Sequence, residues 1–214
     1  MSPIEPAVES VQGRPRGFIL YVEGPRDRAI LRAWAYRLLP SLGRQLFGGS
    51  VILGGRRPAR AVEHFRGAGG AEAGLLGLCV LDRDAGVEPA QPTSTELGLE
   101  FFTWGRRHIE SYLLVPAAIH RTLRLADDDR RIHRALDEVL PQPADESAYR
   151  HVDAKRLLGP KGALPRALGR SIPLQRVARA TRQEELHPDV HLLFDRLRDR
   201  LGVTRPRADG AGFE

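Results

Sequence analysis

The stretch GFILYVEGPRDRAILRAWAYRLL, residues 17–39, decides the fold. Its opening residues are apolar, β-branched or aromatic and stop at Glu23-Gly24, as a buried strand does. Pro25 suits the first position of a helix, where no intrahelical hydrogen bond is lost, and Ile30, Leu31, Trp34, Leu38 and Leu39 recur at spacings of three and four. The stretch therefore reads as strand, tight turn, helix. Moving outward, SVILGG (50–55) is a short second strand and PARAVEHFRG (58–67) a second helix with Ala61, Val62 and Phe65 inward. LLGLCVLDRD (75–84) is apolar throughout until it ends in acids, the pattern of a parallel strand covered on both faces. LGLEFFTW (97–104) makes a fourth strand. The expected fold class is α/β, a mostly parallel sheet flanked by helices.

The second half of the chain reads as helical. RRHIESYLLVPAAIHRTL (106–123) begins a helical region, a further helical pattern runs from Asp127 to Leu140, and PQPADESAYRH (141–151) is a polar loop. DAKRLLGPKGALPRALG (153–169) gives one or two short helices broken at Gly159-Pro160, and Pro188 opens a last amphipathic helix with Val190, Leu193, Phe194, Leu197 and Leu201 on one face. The organisation expected is a flexible leader at 1–16, an α/β core at 17–112, a helical insertion at 113–150, a C-terminal helical part at 151–202 that completes the active site, and a disordered tail at 203–214.

Composition narrows the function classes. With 214 residues and 42% hydrophobic content, the chain can bury a sizeable core. No apolar run approaches the roughly 20 residues that cross a bilayer, and the N-terminus has no signal-peptide pattern, so a cytoplasmic protein without a membrane partner is expected. The single cysteine, Cys79, lies inside an apolar run and excludes both a disulfide framework and a cysteine-rich zinc site. A formal charge of +6 and a pI near 10.2 favour a polyanionic partner. Every basic residue except Lys155 and Lys161 is arginine, which marks those two for any role needing a compact ammonium.

In open parallel sheets the active crevice lies at the carboxyl ends of the strands, and Glu23 and Asp82 each sit where an apolar strand stops. Residues i and i+2 of a strand share a face, so Asp82 and Asp84 can aim at one cation, and Asp27, on the first helical turn, can return to the same crevice. Several carboxylates brought together repel without a counter-charge, which points to hard, oxygen-liking cations such as Mg²⁺ or Mn²⁺. Each acid also has an ordinary structural reading. Asp27 can complement a helix dipole, Asp82-Arg83-Asp84 can close a strand in a polar turn, and Glu23 can be a solvated strand end. Their joint order along the chain is what favours the metal site.

YVEGPRD followed by VLDRD resembles the motifs of the TOPRIM domains, a Glu-Gly after the first strand and an Asp-x-Asp after the third. Further segments are similar to the OLD (overcoming lysogenization defect) nucleases: Glu23 to Asp27 as an EGxxD, LGGRRPARAVEHF, RRHIESYLL and DAKRLL, in order over roughly residues 18 to 200. The resemblance implies a TOPRIM-like sheet with an additional helical subdomain and a metal-dependent DNA endonuclease or nickase. It implies two divalent cations, Mg²⁺ or Mn²⁺, held by Glu23, Asp27, Asp82, Asp84 and Glu110, with Glu23, Asp82 and Lys155 as catalytic residues. In that family the domain follows an ABC-type ATPase domain; this sequence carries no P-loop, so the expectation is either a stand-alone nuclease or the C-terminal region of a longer protein whose ATPase partner lies elsewhere.

Arg56, Arg57, Arg106, Arg107 and Lys161 are candidates for DNA contact, with a solvated basic surface as the plain alternative. Glu110 and Lys155, by residue type alone, also suit a helix start and a solvated helix face. Two other functions fit parts of the pattern. A haloacid-dehalogenase-like phosphatase would use the Asp-x-Asp as nucleophile and acid, but leaves Glu23 and Asp27 idle. A non-catalytic TOPRIM module that binds DNA would make Glu110 and Lys155 dispensable. His187 and His191 have metal-pair spacing, but Pro188 places His187 outside the helix, so both read as surface or capping residues.

Overall fold

The computed structural model describes residues 17–41, 43–83, 96–140 and 145–203. Four strands form one all-parallel sheet in the order β2-β1-β3-β4: β1 (Gly17–Val22), β2 (Val51–Ile52), β3 (Leu75–Leu81) and β4 (Leu99–Thr103). Helix α1 (Pro25–Leu38) starts directly after β1, α2 (Gly43–Gly48) precedes β2, and α3 (Pro58–Gly67) links β2 to β3. After β4 come a 3-10 turn (Ile109–Leu113), α4 (Pro116–Leu123), α5 (Arg131–Asp137), α6 (Glu146–His151), α7 (Ala154–Leu158), α8 (Ala163–Leu168), α9 (Leu174–Ala180) and α10 (Pro188–Leu201).

Strand alternation divides the interior in two. Leu20 and Val22 of β1, Leu78 and Val80 of β3 and Phe102 of β4 belong to the core on the side of α1 and α10. Tyr21, Cys79, Leu81 and Leu99 face the other way, onto Ala61, Val62 and Phe65 of α3. The continuous apolar run of β3 is thus explained: it lies between β1 and β4 and is covered on both faces. The larger core extends without a break from the sheet through Ile119 of α4 and Ile132 of α5 to Leu157 of α7 and Leu164 of α8. Among the described residues, no helix is long and apolar enough to cross a membrane.

Three local differences from the sequence reading have identifiable causes. Residues 109–113 form a 3-10 turn and not the first turns of a longer helix, because Pro116 holds the preceding Val115 in extended backbone and restarts the chain as α4. The polar segment around residue 145 contains α6, started by Asp145, whose side chain accepts from the Ala148 amide. The helix expected from Asp127 begins at Arg131, with Asp129 Oδ1 accepting from the Arg131 amide just before it. Helices α2 and α9, of six and seven residues, lie in segments to which the sequence reading assigns no element. The expected leader, most of the tail, and Asp84 lie outside the described residues.

Candidate metal centre

The β1 to α1 connection is two residues long and places two acids at the sheet's carboxyl edge. Glu23 follows the last residue of β1, and its backbone carbonyl accepts from the amides of Gly54 and Gly55, both 2.9 Å away. That double contact needs the positive φ values of +75° and +117° at these glycines, so the Gly-Gly of LGGRR is a requirement of the turn beneath the site. The side chain of Glu23 reaches across to β3, where its Oε1 accepts from the Asp82 amide at 2.7 Å. Asp27 sits in the first turn of α1.

Asp82, only 7% exposed, is gripped on both oxygens. Its Oδ1 accepts from the Ile109 amide at 2.9 Å and its Oδ2 from Lys155 Nζ at 2.5 Å. Glu110 is fully buried and arrives from the 3-10 turn. One oxygen of Asp27, one of Asp82 and one of Glu110 lie within 4.8 Å of one another. Glu110 Oε1 has a long contact to Arg26 Nη1 at 3.4 Å, while Oε2 is buried without a hydrogen-bond partner among the described residues.

Electrostatics agree with the geometry. Burial, then the neighbouring charges of Asp82 and Glu110, push the Asp27 carboxyl up to about 7. Burial also raises Glu23 and Glu110 above the usual carboxylate range, against the opposing pull of Lys155. At Lys155 burial pulls downward, but the hydrogen bond that it donates to Asp82 and the charges of Asp82, Glu110 and Asp27 outweigh it and hold the ammonium above its usual range. A carboxylate with one buried oxygen lacking a donor, close to two more acids, is the environment that a hard divalent cation relieves, and an all-oxygen donor set suits Mg²⁺ or Mn²⁺.

The expected site residues are therefore distributed as follows. Glu23, Asp27, Asp82, Glu110 and Lys155 converge at one edge of the sheet, and Asp84 lies outside the described residues. Lys155 and Lys161 both line an open cleft of about 910 Å³, together with Arg156 and Arg166. Arg56 donates from Nε to the Asp82 carbonyl at 3.0 Å, and Arg57 is exposed at the start of α3. Arg107 lies 4.0 Å from Asp153, the N-cap of α7. Arg106 is committed inward: its side chain is 11% exposed and holds Glu146 through two hydrogen bonds of 3.0 and 2.6 Å.

Sequence reading passed over two neighbours of the site. Arg26 is the contact to Glu110. His108 packs beside Lys155 and Asp153 with Nδ1 buried and, among the described residues, without a hydrogen-bond partner, and burial followed by the Lys155 charge pulls it below the ordinary histidine range. Both stand inside motifs already singled out, GPRD and RRHIE, so adjacency to an acid was the available signal.

No protein-family model and no curated protein sequence matches the chain. Among solved structures, it is similar to the C-terminal region of the Burkholderia pseudomallei OLD protein, at 17% sequence identity and a TM-score of 0.50, with 86% of this chain and 98% of that one covered. The α/β arrangement described above, a four-stranded all-parallel sheet flanked by helices, is therefore a fold shared with that region, and it is consistent with the TOPRIM-like sheet expected from the sequence.

Proposed function

We propose that this chain is a divalent-metal-dependent nuclease that hydrolyses phosphodiester bonds in DNA. The observation that carries the reading is the cluster of half-buried Asp27 with buried Asp82 and Glu110 at the carboxyl edge of the parallel sheet, together with a Glu110 oxygen that is buried without a hydrogen-bond partner among the described residues. Glu23, Asp27, Asp82 and Glu110, joined by Asp84, form the cation-binding set, and two Mg²⁺ or Mn²⁺ ions are the proposed complement. Bound there, such cations would supply the positive charge that in-line displacement at phosphorus needs on its attacking and leaving oxygens.

The chain's own residues then divide the remaining work. Glu23 holds the backbone amide of Asp82 and so fixes the strand end that presents it. Lys155 carries the one ammonium at the cluster among the described residues, aimed by the short helix that Asp153 caps, and it stabilises charge building on the phosphate. Arg56, Arg57, Arg107 and Lys161 flank the cluster as backbone contacts for DNA, whereas Arg106 serves the turn that carries Glu110. Hydrolysis adds water across one P–O bond, leaving a phosphate on one strand end and a hydroxyl on the other. An ATPase domain as a partner in a longer protein is a further part of the proposal, and it rests on the resemblance of the motifs to the OLD nucleases.

A phosphatase reading draws on the contact between Lys155 and Asp82, which would also suit a nucleophilic aspartate. One assay separates the readings. The purified chain should nick supercoiled plasmid with Mn²⁺ or Mg²⁺, be silent with EDTA, and lose activity in Asp82→Ala while circular dichroism stays unchanged. Cleavage by Asp82→Ala at the wild-type rate would overturn the nuclease assignment, and turnover of a phosphate monoester without DNA cleavage would favour the phosphatase.

A further inference from the structure

Among the described residues, Glu110 has one long side-chain hydrogen bond of its own, so its place in the cluster is set by the backbone that carries it. That backbone is closed on itself. Tyr112, buried two residues further on, accepts at its phenol oxygen from the Arg106 amide at 2.9 Å and donates to Asp189 Oδ2 at 2.5 Å. Arg106 Nη1 donates to the Ser111 carbonyl at 3.0 Å, and the guanidinium lies over the Tyr112 and Tyr149 rings, 5.1 and 4.8 Å from their centres. Residues 106 and 112 are thus tied together, and Ile109 and Glu110 occupy the bend between them.

The tie is anchored from the far end of the chain. Asp189 stands in the first turn of α10, and a Cβ at residue 105 would lie 2.6 Å from its Oδ2, so glycine there allows the carboxylate to approach the turn. His187, the N-cap of α10, accepts from the Asp189 amide at 3.1 Å through Nδ1, and its Nε2 lies 3.3 Å from Glu146, the same carboxylate that Arg106 holds. This closes a loop of contacts through Arg106, Tyr112, Asp189, His187 and Glu146.

We propose that Tyr112 and Asp189 are positioning residues of the metal centre: through Arg106 they hold the turn so that the Ile109 amide and the Glu110 carboxylate meet Asp82 and Asp27, without themselves touching cation or DNA. Mutually repelling carboxylates spread when their supports loosen, and a cation then has to pull them together at a cost in affinity. The inference rests on the metal-site reading above.

The test uses the full chain, Mn²⁺ alone as the probe in calorimetry without DNA, and single-turnover plasmid nicking. Tyr112→Phe and Asp189→Asn should each weaken Mn²⁺ binding about tenfold. Their nicking rates should return towards the wild-type value at saturating Mn²⁺, with DNA affinity unchanged. Val62→Ala, on the opposite face of the sheet, controls for general destabilisation and should leave Mn²⁺ affinity unaltered. If Tyr112→Phe does not fold, Asp189→Asn decides. Glu110→Gln separates the two levels: unchanged Mn²⁺ affinity in that variant overturns the metal site itself. Weakened binding in Glu110→Gln with Tyr112→Phe and Asp189→Asn indistinguishable from Val62→Ala overturns only the positioning role.

Discussion

Glu23, Asp27 and Asp82 reach the site from the ends of two hydrogen-bonded parallel strands and the first turn of a 14-residue helix, whereas Glu110 and Lys155 reach it from a 3-10 turn and a five-residue helix. On the first side the backbone of the strand ends and of the helix start sets each position, and Asp82 is then gripped on both oxygens from the second side. On the second side no regular element is long enough to hold a charged group in a buried place, and a net of side chains does so: Arg106, Tyr112, Asp189 and Glu146 behind Glu110, and Asp153 beneath Lys155. The difference teaches that one half of such a site is inherited from the fold and the other half has to be assembled. Perturbation of the assembled half should therefore tune the chemistry without unfolding the sheet.

The largest effect within the assembled half is expected at its lysine. Lys155→Ala should lower single-turnover cleavage by on the order of a hundredfold, the scale of losing a preorganised charge at the transition state. Because the Lys155 ammonium already partly neutralises Asp82, its removal should leave Mn²⁺ affinity undiminished, the opposite of the result for Glu110→Gln. Lys161→Ala, in the same cleft but exposed in the turn between α7 and α8, should instead weaken DNA binding modestly and reduce its salt slope by about one. Measuring cleavage rate, metal affinity and salt-dependent DNA binding for both variants checks this; the reverse pattern would move the catalytic role to Lys161.

A smaller effect tests the strand-end half. The folded chain holds the Asp27 proton up to about pH 7, while the unfolded chain releases it near its ordinary value of 3.8. The stability this group contributes is present below the unfolded value and is lost as pH rises through the folded one, so metal-free protein should become less stable across that window. Glu23 and Glu110, also raised, act in the same direction, while His108, lowered, acts in the opposite direction nearer neutrality. The difference between wild type and Asp27→Asn isolates the term: thermal melts without metal should show the wild-type melting temperature falling relative to the variant as pH rises from about 4 to about 7. Added Mn²⁺ should restore stability more at the upper end of the window, where protons no longer compete. A pH-independent difference would show that Asp27 is not held in a shared acidic site.

The same division explains what could be read in the sequence. The strand ends at Glu23 and Asp82 and the helix start at Pro25 follow from apolar runs and proline placement, both local signals, and the structure has them there. The convergence of Asp27 on Asp82 needed only the parallel order of β1 and β3. Glu110 and Lys155 were reachable through motif resemblance, because nothing local says that a 3-10 turn after β4 will face a helix some 45 residues later in the chain. The pairing of Tyr112 with Asp189 was not legible at all, since a hydrogen bond spanning 77 residues leaves no periodicity. Arg106 shows the reason in one residue: as a basic side chain it suggested DNA, and only the packing around it reveals a guanidinium committed to Glu146 and Ser111.

The most direct test of the central claim, that the acids at this sheet edge form a divalent-cation site, is a crystal of the chain soaked in Mn²⁺ and measured for anomalous scattering. The account predicts a strong peak within ligand distance of Asp27, Asp82 and Glu110, with the Glu110 oxygen that lacks a hydrogen bond now bound to the ion and a second peak adjoining Asp82. An empty cluster at saturating Mn²⁺, with Lys155 still on Asp82, would contradict it.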